Sequence, residues 1–147
     1  MATCSGMQEV VEQEVAFGAH RLRIKGDCAF VTVHGTLAVD DMQTILDCAA
    51  RIKEKHKVAF FCYDGRKATG INADARKVAA KGDPEKSKAD LRVIYGISFP
   101  LRVVVNMLVR TQKALFNREV HVHIFDEEKE ALEFFEVESA RLRKLLV

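Results

Sequence analysis

Apolar and polar positions alternate over two stretches, His20 to Ile24 and Cys28 to His34, with Lys25-Gly26-Asp27 between them. A period of two marks a half-buried strand. Glycine supplies the positive φ of a tight turn, so this segment predicts a β-hairpin. Val31 and Val33 share one face of the second strand, and Phe30, Thr32 and His34 share the other. The period then changes. Met42, Ile45, Leu46, Ala49 and Ile52 recur at helical spacing and form one core-facing stripe. Asp40 is placed to cap this helix, with Gln43 where a capping-box partner stands. Arg51, Lys53 and Lys55 put positive charge at the C-terminal end, as the helix dipole favours.

Lys57 to Tyr63 (KVAFFCY) is a short apolar run and predicts a buried central strand. Asp64 to Ile71 reads as a glycine-flanked loop. Asn72 then caps a short helix to about Lys81 with Ala75, Val78 and Ala79 inward, ended by Gly82 and Asp83-Pro84. Glu85 to Asp90 is an exposed charged loop. Leu91 to Tyr95 predicts a strand and Gly96 a turn. Ser98 caps a third helix that carries Pro100 in its first turn, where the missing N–H does no harm. Leu101, Val104, Val105 and Leu108 form one stripe of this helix, while Val103, Met107 and Ala114 lie off it. The helix is therefore apolar on two sides. Glu119 to Phe125 is the last strand, and Asp126 caps a final helix reaching Leu146.

The resulting order is β-β-α-β-α-β-α-β-α: about five strands and about four helices. Successive β-α-β crossovers imply an α/β fold with a mixed, mostly parallel sheet and helices on both faces. Residues 1–12 read as a loose tail and 13–147 as one domain. A chain of 147 residues, 48% apolar and 30% charged, has enough apolar side chains for a core.

Charge narrows the function classes. With 23 basic and 21 acidic residues the chain is nearly balanced, and it has no tryptophan, which argues against nucleic acid as a partner. No segment has the pattern of a signal peptide, and the longest apolar run, Val103 to Val109, is far too short for a membrane span. Cys4, Cys28, Cys48 and Cys62 form no C-x-x-C pair. That pattern reads as buried free thiols in a reducing, cytoplasmic setting.

Candidate chemistry is sparse. His121 and His123 share one strand face, a spacing found in metal sites, but no second pair of ligands accompanies them. If the strand lies at the sheet edge, both simply face water. Cys62 lies inside KVAFFCY, where burial makes a thiol inert. No catalytic residue, metal site or cofactor is assigned. Asp64, Arg66 and Lys67 stand at the C-terminal end of a predicted strand, with Thr69, Asn72 and Asp74 at the next helix start. Open α/β sheets bind ligands at such places. The alternative is a solvated loop with a cap. Gly65 to Gly70 lacks the Lys and Ser/Thr of a nucleotide-binding P-loop. Arg66 to Arg92 holds eight basic and four acidic residues, which makes either a solvated face or a weak docking surface for acidic groups. The outer side of the third helix, Val103 and Met107, needs cover from the last helix, a second subunit or a ligand.

Asp90 to Arg110 (DLRVIYGISFPLRVVVNMLVR), centred on Gly96, Ser98, Phe99 and Arg102, and Val122 to Phe135 (VHIFDEEKEALEFF) resemble the bacterial SpoIIAA-like branch of the STAS superfamily, often labelled STAS/SEC14-like. The likeness covers His20 to Phe135. It implies a non-enzymatic, regulatory module acting by protein–protein interaction, as a homodimer or with a protein partner. Its binding surface would be Asp64 to Asp74 together with Ser98 and Arg102. In anti-sigma-factor antagonists of this superfamily, a serine at the start of the second helix is phosphorylated, following an aspartate. Aligned without gaps, Asn72 falls on that aspartate and Ala73 on the serine, so the phosphoserine switch has no acceptor. The alternative implied by the likeness is a SEC14-type carrier of a small apolar ligand or lipid, held between the third and fourth helices.

Overall fold

The computed structural model describes residues 12–81, 89–116 and 121–147. Six strands alternate with four helices: β1 (Glu12–Phe17), β2 (His20–Lys25), β3 (Cys28–Leu37), α1 (Val39–His56), β4 (Phe60–Ile71), α2 (Ala73–Lys81), β5 (Leu91–Tyr95), α3 (Phe99–Phe116), β6 (Val122–Phe125) and α4 (Glu128–Leu146). This is the predicted order with one strand added. Glu12 belongs to β1, and the rest of the predicted tail lies outside the described residues. β1 pairs antiparallel with β2 through a two-residue turn in which Gly18 has φ +58°.

The strands lie in sequence order, β1 to β6. β1, β2 and β3 are antiparallel, and β3 to β6 are parallel. Each parallel step advances in the same direction across the sheet. A right-handed crossover then places every connecting helix on the same face. α1, α2 and α3 accordingly share one face, with Val31, Val33, Phe61, Ile45, Ala49 and Ala75 in its core. α4 covers the other face, where Ala131, Phe135 and Leu142 pack on Phe60, Leu91 and Val93. β3 shows how one strand serves both: Ala29, Val31 and Val33 enter the first core, Cys28 and Phe30 the second.

The α1 stripe is buried as predicted. Its cap is different. The helix starts after Ala38, whose N–H donates to Asp41 Oδ2 at 2.9 Å, so Asp41 rather than Asp40 satisfies the terminus. The same carboxylate oxygen meets Nε2 of His20 at 3.1 Å, while His20 Nδ1 accepts from the His34 N–H at 3.0 Å. An accepting Nδ1 leaves the proton on Nε2, which donates to Asp41. A 2% exposed histidine thus ties β2, β3 and the start of α1 together. Likewise α4 is capped at Glu127, not Asp126, which is engaged elsewhere.

Two further expectations are corrected. The segment from 64 to 71, read as a loop, continues β4 and pairs with Thr32 to Leu37 of β3 across two register shifts. Pairing with a long neighbour overrides its two glycines and charged residues. Cys48 and Cys62 are buried free thiols, but Cys28 is disulfide-bonded, which spacing along the chain does not reveal; Cys4 lies outside the described residues. No helix among the described residues is long and apolar enough to cross a membrane.

An ion pair anchors the C-terminal end of α4. Arg143 donates from Nε to Asp27 Oδ2 at 2.6 Å and from an Nη to Oδ1 at 3.0 Å, and its guanidinium lies over Phe60 at 5.3 Å. Asp27 is 8% exposed in the β2–β3 turn, and its carbonyl accepts the Phe60 N–H. Removing the guanidinium leaves a carboxylate in a nearly dry site, a larger loss than any surface pair. Arg143→Met is expected to lower unfolding free energy by about 2 kcal/mol or more, read from the urea midpoint. A midpoint equal to wild type would show that this pair does not anchor α4.

Candidate functional site

The middle of β4 and the carboxyl end of β5 hold a tight cluster. Backbone geometry brings it together. Gly96 has φ +80°, and a Cβ there would lie 2.4 Å from Cγ of Arg66; a Cβ on Gly65 would lie 2.3 Å from the Ile97 side chain. Two glycines therefore let the β5 turn close onto β4 and seat Arg66 over the Tyr95 ring, at 5.5 Å. Arg66 donates to both Asp64 oxygens, Nε at 3.0 Å and an Nη at 2.8 Å, and to Glu128 at 3.3 Å. The Tyr95 hydroxyl also donates to Glu128, at 3.3 Å.

The electrostatics follow from these contacts. Hydrogen bonds from Arg66 hold the Asp64 carboxyl below the usual carboxylate range despite some burial. The Arg66 guanidinium is pushed upward, chiefly by the same bonds to Asp64. Burial, with Asp64 and Glu128 nearby, raises the Tyr95 phenol. Burial pushes the neighbouring Cys62 thiol up to about 12, with Asp64 and Glu128 adding to it. The cluster thus holds no thiolate near neutral pH, and its cation faces two carboxylates. It is built to brace strand ends rather than to move protons.

The structure separates the residues that the sequence groups into one loop. Asp64 and Arg66 enter the cluster. Lys67 follows on β4 and is exposed. Thr69 pairs its hydroxyl with Thr36 across the strands at 2.9 Å. Asn72 and Asp74 sit at the start of α2, where the Asn72 carbonyl accepts the Arg76 N–H. Asn72 lies eight residue steps beyond Asp64, a span of about 25 Å along the strand. Ala73 is the first exposed residue of α2. Ser98 caps α3 by accepting the Leu101 N–H at 3.4 Å, and Arg102 donates to Asp126 at 2.7 Å. The β6–α4 turn thus serves Arg102 through Asp126 and Arg66 through Glu128. β6 is the sheet edge, where His123 packs on Phe134 with ring centroids 4.6 Å apart. Burial lowers the His123 pKa. No metal-ligand cluster occurs among the described residues.

α4 does not cover the outer side of α3, because the two lie on opposite faces of the sheet. Phe99, Val103 and Met107, spaced by four, are 74%, 43% and 58% exposed. Nor is there a ligand gap between α3 and α4. The cavity lies on the other side of α3, between it and the sheet. α3 is held near its start by Leu101 and Arg102. Farther along, the buried Gln112 amide donates to the Ala79 carbonyl at 2.7 Å. Between these points Val105, Leu108 and Val109 stand off from Ile94, Ile97 and Val122. The space is about 130 Å³, almost wholly apolar, and reaches under α1 and α2 to Met42, Leu46, Phe61 and Ile71. Three polar side chains reach it: Tyr63, Arg92 and Gln112.

Tyr63, Arg92 and Gln112 are absent from the sequence-derived site. A signal for Arg92 existed. In Leu91 to Tyr95 (LRVIY) the strand period puts Arg92 beside Ile94 on an inward face, where a cation is out of place.

No protein-family model matches the chain, and no curated protein matches it. Among solved structures, the chain is similar to the anti-sigma factor antagonist SpoIIAA in its unphosphorylated form. That match has 10% identity and a TM-score of 0.48, covering 84% of this chain and 96% of that one. It is also similar to an uncharacterized DUF3478-family protein with a SpoIIAA-like fold from Shewanella loihica PV-4. There the identity is 12% and the TM-score 0.46, covering 86% of this chain and 93% of that one. Likenesses at this level concern the course of the backbone.

The lowered Asp64 pKa gives the cluster a pH signature. A carboxyl whose folded pKa lies below its unfolded value stabilises the fold above that range and ceases to do so as pH falls. The stability margin of wild type over Asp64→Asn should be flat from neutral pH to about 4. It should then shrink as pH falls through the lowered value. Urea titrations at stepped pH measure it, and a margin that grows in acid would contradict the bonding described.

Proposed function

We propose that this chain is a non-enzymatic binding module that holds a small, mainly apolar molecule in the cavity beneath α3. The observation that carries this reading is the cavity: apolar walls and a few convergent polar groups, the usual make-up of a ligand site. Its size decides the class of occupant. A cavity of about 150 Å³ lined by aliphatic and aromatic residues takes a benzene ring. The 130 Å³ here suits one ring or a short chain, with any tail leaving through the partly open side, and not a two-chain lipid.

A second reading rests on the exposed row of Phe99, Val103 and Met107, which fits a second copy of the chain. The charged surface from Asp64 to Asp74, with Ser98 and Arg102, would then serve a protein partner as the resemblance implies. Both readings are compatible with a regulatory role.

The readings part in one experiment. Val105→Phe fills the cavity from α3. It is expected to raise Tm by roughly 2–4 °C and abolish calorimetric binding of ethylbenzene, while leaving self-association unchanged. Met107→Lys should do the reverse: weaken any dimer in sedimentation and leave ethylbenzene bound. Ethylbenzene that fails to bind wild type, or binds Val105→Phe as well, would remove the cavity reading.

A further inference from the structure

We infer that the molecule held beneath α3 carries a single negative charge, a carboxylate, received by Arg92 with Tyr63 beside it. This rests on the cavity reading above and names the chemistry of its ligand. Arg92 is on β5, one of the two innermost parallel strands of the four, with its side chain on the helical face among apolar walls. Burial pulls its pKa down, and burial lifts the Tyr63 phenol to about 12. The Tyr63 hydroxyl lies close enough to the guanidinium to interact with it, and both side chains line the cavity.

Carboxylates nearby are committed. Asp90, the one close enough to interact with Arg92, accepts the Ala59 N–H at 2.9 Å and meets Lys53 Nζ at 3.4 Å. The carboxylates of the strand-end cluster, Asp64 and Glu128, bind Arg66 on the opposite face. A guanidinium has five donors, and among the described residues that line this cavity the polar side chains beside it are Tyr63 and Gln112. Chains retain a costly inward cation when something compensates it. Here the fold supplies a phenol, an Asp90 already engaged by Lys53 and the Ala59 N–H, and an open space.

The ligand class follows. A guanidinium fork matches a carboxylate through two parallel N–H···O bonds. Tyr63, un-ionised at neutral pH, adds a donor. One cation in an apolar site balances one charge, so a phosphate dianion would bring an uncompensated charge into a dry cavity. The apolar walls require the rest of the molecule to be hydrocarbon, which makes the ligand a small aromatic or short-chain carboxylic acid.

Three probes of one shape test this: ethylbenzene, 4-ethylbenzamide and 4-ethylbenzoate, titrated into wild type, Arg92→Met and Tyr63→Phe by calorimetry. Wild type is expected to bind 4-ethylbenzoate at least tenfold more tightly than 4-ethylbenzamide. Arg92→Met should erase that preference and still bind ethylbenzene, which also reports that the variant is folded. Tyr63→Phe should reduce the preference only in part. If Arg92→Met does not fold, the wild-type ratio decides alone. Equal binding of acid and amide with ethylbenzene bound overturns the charge assignment and spares the cavity reading. Failure of all three probes overturns both.

Discussion

A parallel sheet whose strands advance one way sends every right-handed crossover over the same face. In this chain β3, β4, β5 and β6 advance without reversal, so three helices crowd one face and α4 alone remains for the other. The rest of the molecule follows from that asymmetry. α4 closes its core with Phe135, Leu142 and the Asp27–Arg143 pair. On the crowded face α1 packs on β3, α2 lies between α1 and α3, and α3 meets β4 and is held mainly near its two ends. The cavity is the space that three helices leave over a twisted surface.

Polar groups divide along the same line. On the α4 side the charges are matched: Arg66 with Asp64 and Glu128, Arg143 with Asp27. Beneath α3 the charge is the Arg92 guanidinium, which lines the cavity together with the Tyr63 phenol. The matched cluster is the more conspicuous in sequence and the less promising as a binding site, because its groups already satisfy one another. Incomplete satisfaction is what separates a place that can bind from a place that is braced.

Much of the architecture was legible, since period carries it. The α1 stripe, the β2–β3 hairpin and the two faces of β3 follow from spacing alone. Failures occurred where a distant partner decides. Asp64 to Ile71 looks like a loop until β3 pairs with it, and that pairing spreads one predicted site over the length of a strand. The cap of α1 passes from Asp40 to Asp41 because Asp41 also receives His20. Arg92 was legible as an inward cation in LRVIY. The cavity it faces was not, because no periodicity encodes how far α3 stands from the sheet.

The void beneath α3 is the feature on which the binding reading depends, and xenon measures it without presuming a ligand. A crystal of the unliganded protein under xenon pressure should show a xenon atom between Val105, Leu108 and Ile94. α3 should keep its hydrogen bond from Gln112 to the Ala79 carbonyl. An α3 settled onto Ile94 and Val122 with no xenon bound would contradict it.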